Sequence, residues 1–110
     1  MTISNLAHKK CIPCSGGIAG FSREEIQTYM CLLSTDWQLS DKNHLCKTIK
    51  TKNFLEALDF ANRIGVIAEN EGHHPDITVK WGECHIEIWT HKINALTESD
   101  FILAAKIDQL

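Results

Sequence analysis

The stretch Ile77-Thr78-Val79-Lys80-Trp81-Gly82-Glu83-Cys84-His85-Ile86-Glu87-Ile88-Trp89 decides the fold. Ile77, Val79 and Trp81 alternate with Thr78 and Lys80, and Cys84, Ile86 and Ile88 alternate with His85, Glu87 and Trp89. Period-two alternation is the mark of strands buried on one face. Gly82-Glu83 suits a two-residue turn with glycine first. The segment therefore predicts a hairpin pairing Trp81 with Cys84, Val79 with Ile86 and Ile77 with Ile88. Carried further, that ladder sets Pro75 against Thr90 and His74 against His91, unless the proline ends it early.

Working outward, Asn53 with Glu56 three residues on marks a helix start, and Gly72 marks its stop. Phe54, Leu58, Ala61, Gly65 and Ala68 form its expected core stripe. Upstream, Asp36-Trp37-Gln38-Leu39 and the run Leu45 to Thr51 flank the turn-prone Ser40-Asp41-Lys42-Asn43, which predicts a first hairpin. Leu45, Ile49 and the stem of Lys47 share a face of it. Ser22 and Glu25 form a capping box, with Phe21 and Ile26 as a hydrophobic staple, so a helix is expected near 22–34. Thr97-Glu98-Ser99-Asp100 opens a last helix. The order αββαββα predicts an α+β fold: a four-stranded antiparallel sheet with three helices packed on one face. Residues 1–20, with Cys11, Pro13, Cys14, Ser15, Gly16 and Gly17, lack sustained periodicity and read as a loosely structured arm before a domain over 21–110.

A chain of 110 residues fits one domain, and 44% hydrophobic with 23% charged residues is the balance of a globular one. Its formal net charge of −3 argues against binding a phosphate backbone, so no nucleic-acid partner is expected. No apolar run is long enough for a membrane span, and no secretory segment opens the chain. Five cysteines without an export signal predict reduced thiols and a cytoplasmic location.

Six histidines are the unusual feature, four of them between 73 and 91. The predicted hairpin gathers His73, His74 and His91 at one end, outside the core. Imidazoles titrate near neutrality and can both donate and accept a proton, as an elimination requires. They could instead ligate a metal, with Glu69 or Glu71 as a fourth ligand, although adjacent residues 73 and 74 point differently in extended chain. Cys11-x-x-Cys14, with His8 before it, is a rival zinc half-site or redox pair, weakened by the lack of a second close pair.

Glu69-x-x-x-His73-His74-Pro75, then Thr90-His91, then Ala95-Leu96-Thr97-x-x-Asp100, resembles the pterin-4a-carbinolamine dehydratases. The correspondence runs from about Phe21 to Ile107 and includes Asp36-Trp37 and Asn53-Phe54. Ala95 departs from it, standing where the family usually has glycine. The resemblance implies a hydro-lyase that dehydrates a 4a-hydroxytetrahydropterin to the quinonoid dihydropterin, recycling the cofactor of aromatic amino-acid hydroxylases. It implies no metal and no cofactor, the pterin being the substrate, and a homodimer or homotetramer. It makes His73, His74 and His91 the catalytic set: His73 and His91 as acid and base, His74 holding the ring. Glu69, Pro75, Thr90 and Asp100 become supporting or substrate-binding residues. Asp100 also stands where it can cap the last helix through Thr97, and Pro75 is expected to shape the loop. Trp37, Trp81 and Trp89 are expected in core or interface, Trp81 by alternation and Trp89 with the option of flanking the site. The alternative, from another functional class, is a non-catalytic binding or coactivator protein that keeps the fold.

Overall fold

A computed structural model of the chain describes residues 6–11 and 19–110. The elements are α1 (Arg23–Met30), β1 (Gln38–Leu39), β2 (Leu45–Lys50), α2 (Phe54–Glu71), β3 (Asp76–Lys80), β4 (Glu83–Ile88) and α3 (Glu98–Ile107). They follow the expected αββαββα order and form one antiparallel sheet ordered β1-β2-β4-β3. Inward side chains of β4 (Cys84, Ile86 and Ile88) join Leu45, Ile64 and Phe101 in a single core between sheet and helices. Each predicted cap is present. Ser22 Oγ accepts from the Glu25 N–H while Glu25 Oε1 accepts from the Ser22 N–H. Asn53 Oδ1 accepts from the Glu56 N–H, and α2 ends on Gly72 at φ 65°, a left-handed position that favours glycine. The first helix is shorter than 22–34, closing at Met30.

The hairpin register differs from the expected one by two residues. Lys80 pairs with Glu83, Val79 with Cys84 and Ile77 with Ile86, so Trp81-Gly82 is the loop and the glycine comes second, at φ 80°. The cause lies outside the hairpin. The Thr51 N–H donates to the Gly82 carbonyl, and β2 takes Glu83 into the sheet opposite Lys50, whose ammonium bonds it at 3.0 Å. A shift of two keeps every side chain on its predicted face. It does remove Trp81 from the core, where alternation had placed it: the indole is 73% exposed at the turn.

Two other expectations are corrected. The core stripe of α2 is Ala57, Ile64 and Ala68, whereas Phe54 and Leu58 are exposed beside Leu55 and Val66. That helix is apolar on more than one face, so periodicity does not single out the buried one. Within the stretch expected to be a loose arm, residues 6–11 dock on the body, with Leu6 and Ala7 buried. The Cys11 N–H donates to Glu71 Oε1 at 2.9 Å, and Lys106 Nζ donates to the Ala7 carbonyl at 2.7 Å. Trp37 is buried as expected, its Nε1–H shared between both oxygens of Asp108, which Lys47 also contacts.

Candidate active site

His73 takes its place from the end of α2. The left-handed Gly72 turns the chain, and the His73 N–H closes the helix on the Ala68 carbonyl. Pro75 follows after His74, without an N–H to offer a ladder, and β3 begins at Asp76. Extending the observed register by three residues from the Asp76–Glu87 pair brings 73 opposite 90. His73, His74, Trp89, Thr90 and His91 consequently line one open cleft of about 220 Å³ at this end of the sheet. The three histidines singled out from the sequence share that cleft. The fourth of the 73–91 group, His85, lies on the outer face of β4, where Nδ1 meets Thr48 Oγ1.

Beneath the cleft lies Asp100, fully buried near the start of α3. Its Oδ1 is 2.6 Å from His73 Nε2, while Oδ2 accepts from the Thr90 hydroxyl at 2.7 Å and the Thr97 N–H at 2.8 Å. The capping geometry expected from the sequence and the contact to His73 are thus made by the same carboxylate. A carboxylate oxygen accepts, so His73 Nε2–H donates to it. Thr90, buried, ties the loop before His91 to α3. His74 is held more loosely: its Nε2 meets Glu69 Oε1 at 3.0 Å with both side chains exposed, a pairing of small energetic weight.

The wall behind His91 joins Trp89, for which the sequence left open a place beside the site, to His44, which the sequence does not single out. Trp89 stands between His91, at 4.3 Å between ring centroids, and a parallel His44 at 4.1 Å. His44 is buried, with Nδ1 2.5 Å from Glu87 Oε2 and Nε2 3.2 Å from Asn94 Oδ1. His44 follows a turn and lies 29 residues before His73, so no spacing pattern signals it. The 91–94 turn is closed by Asn94 at φ 50°, a conformation asparagine tolerates. Ala95 therefore carries no positive φ. Its methyl has room because residue 20 is glycine: a Cβ there would lie 2.5 Å from that of Ala95.

Cys11 does not resemble a reactive half-site. Burial pushes its thiol up to about 12, helped by the neighbouring Glu71 carboxylate, and Sγ donates to the Ser99 carbonyl at 3.4 Å. Cys14 lies outside the described residues.

A small antiparallel sheet backed by helices, with a histidine-lined cleft over a buried aspartate, defines the class of this protein. The family profile described as "Pterin 4 alpha carbinolamine dehydratase" matches residues 19–110, and the chain belongs to that family. It is 54% identical over 103 residues to a Rickettsia canadensis protein provisionally named pterin-4-alpha-carbinolamine dehydratase, covering 94% of each chain. A Rickettsia bellii protein with the same provisional name is 51% identical, over 100% of this chain and 98% of its own. Among solved structures, a Brucella melitensis protein described as "transcriptional coactivator/pterin dehydratase" superimposes with a TM-score of 0.76 at 25% identity, covering 83% of this chain and 97% of that one. No helix among the described residues is long and apolar enough to cross a membrane.

Proposed function

We propose that this protein is a hydro-lyase that dehydrates a 4a-hydroxytetrahydropterin to the quinonoid dihydropterin and water. The observation that carries the reading is the convergence of His73, His74 and His91 on one cleft, with His73 anchored on a buried carboxylate. The reaction transfers one proton to the departing 4a-hydroxyl and removes one from N5. His73 and His91 are the acid and base, in either assignment, and one proton is returned for each one given. Asp100 orients His73, as a carboxylate orients a histidine in hydrolytic triads. His74, steered by Glu69, holds the ring; Thr90 and Pro75 shape the walls. Trp89 offers an aromatic surface at the cleft. Protonating an oxygen leaving group needs an acid and not a Lewis acid, so the chemistry needs no metal and no cofactor. Such an activity would supply the quinonoid dihydropterin to a separate two-electron reduction, by which the tetrahydropterin of aromatic amino-acid hydroxylases is regained in the cytoplasm.

A homo-oligomer accords with two features of the isolated chain. Strands β1 and β3 are sheet edges, and α2 exposes Phe54, Leu55, Leu58 and Val66. The deciding experiment adds the purified protein to a hydroxylase reaction and follows the carbinolamine absorbance. Faster disappearance, unaffected by chelator, is expected. An unchanged rate at micromolar protein would reject the enzyme in favour of a binding protein on the same fold.

A further inference from the structure

The sheet face turned away from the helices carries a second cluster, separate from the cleft. Strands β2 and β4, the two central strands, set Cys46 directly across from Glu87, with His85 two residues earlier on the same face. One ligand atom from each (thiol sulfur, ring nitrogen and carboxylate oxygen) lies within 4.8 Å of the other two. All three side chains are half-buried. Two are already oriented by neighbours: Thr48 Oγ1 sits 2.8 Å from His85 Nδ1, and His44 Nδ1 sits 2.5 Å from Glu87 Oε2. Partners of this kind hold ligating rings and carboxylates in metal sites.

We propose that Cys46, His85 and Glu87 form a site for a borderline-soft divalent cation, zinc by preference, completed by water. The donor set carries the choice of ion. Thiolate and imidazole favour zinc or cobalt over magnesium and calcium, which take oxygen ligands. Zinc bonds of about 2.0–2.3 Å require ligand atoms roughly 3.5 Å apart, so side-chain rotation of about 1 Å closes the triangle while the paired strands stay in place.

Cobalt(II) alone, titrated into the reduced, metal-free full chain, tests the site. Expected are a near-ultraviolet thiolate-to-cobalt charge-transfer band and visible bands of tetrahedral intensity, both displaced by zinc. Cys46→Ser should abolish the charge-transfer band, and His85→Ala should weaken cobalt binding tenfold or more. Both variants change half-buried side chains on a polar face, and unchanged circular dichroism will confirm their folds. The double variant Cys11→Ser/Cys14→Ser should keep the spectrum. Absence of the band, its survival in Cys46→Ser, unaltered affinity in His85→Ala, or its loss in the Cys11/Cys14 variant would each overturn the proposal.

Discussion

Asp100→Asn separates the two jobs of one carboxylate. Asparagine fits the same buried volume but offers one oxygen and one NH2. The Thr97 backbone N–H can only donate, so the amide oxygen must keep that bond and the Thr90 hydroxyl. The NH2 then turns toward His73 Nε2, which has to accept, and the ring proton moves to Nδ1. The helix cap survives, whereas the imidazole presents the wrong tautomer to the cleft. Exchanging charge-assisted for neutral hydrogen bonds costs about 1–2 kcal/mol, a fall in Tm of roughly 5–10 °C for a chain this size. The chemical step should suffer far more: kcat should drop about 10²-fold or more, since inverting the tautomer of an acid–base histidine removes its function. Asp100→Ala would mix both losses, costing about 3–5 kcal/mol by leaving His73 and Thr97 unpaired. The assay is carbinolamine turnover at 20 °C, with circular dichroism confirming the folded fraction. A folded Asp100→Asn protein with kcat within twofold of wild type would refute the orienting role and leave Asp100 a cap.

Replacing His73 or His91 with alanine should lower kcat by about 10²-fold, and replacing His74 should chiefly raise KM; three variants with wild-type kcat/KM would dismiss the catalytic set. With its thiol raised to about 12, Cys11 exposes on the order of 10⁻⁴ thiolate at pH 8. Peptide mapping after brief alkylation should therefore find the exposed Cys31 modified and Cys11 intact, and equal labelling would contradict the docked arrangement. The Cys11 N–H holds the Glu71 carboxyl below its ordinary value of 4.5, and Lys9 does the same for Glu98. A carboxyl depressed in the folded state stabilises docking above 4.5 and loses that contribution as pH falls below it. Amide exchange across residues 6–11, corrected for intrinsic rates, should accelerate below pH 4.5, and Glu71→Gln should reproduce this at pH 7; a flat profile would remove the carboxylates from the account. Light scattering should give a dimer or larger, and a monomer independent of concentration would count against the exposed face of α2 and the open sheet edges as contacts.

How far the fold was legible follows from where each determinant lies in the chain. The strands and caps rest on local chemistry: alternation from Ile77 to Ile88, and Asn53, Ser22 and Gly72 at helix boundaries. These signals sit within a few residues of the structure they specify. The turn register does not, because it depends on Thr51 and Lys50, some 30 residues away. Trp81 misleads for the same reason: alternation continues to the last strand residue without marking where the strand stops. In α2 the apolar residues cover two faces, and only tertiary packing chooses Ala57 and Ile64 over Phe54 and Leu58. Leu6 and Ala7 carry no periodic neighbours to betray their burial.

The histidine cleft survives the register error for a physical reason. A two-residue shift preserves parity, so no side chain changes face. More decisively, His73 is held by more than the hairpin register. Gly72 turns it out of α2, and Asp100 of α3 takes its ring, while Thr90 binds the other oxygen of the same carboxylate. The cleft is thus assembled by three elements meeting on one buried group. Thr97-x-x-Asp100 made that group visible in the sequence, since a carboxylate three residues into a helix is a capping signal in its own right. His44 has no such local mark. It reaches Trp89 only because the strand after its turn is laid beside β4, a fact that exists in the folded sheet and nowhere in the spacing of residues. Residues that cap or turn the chain while serving the site can be read from sequence; a residue that serves it only across a strand pairing cannot.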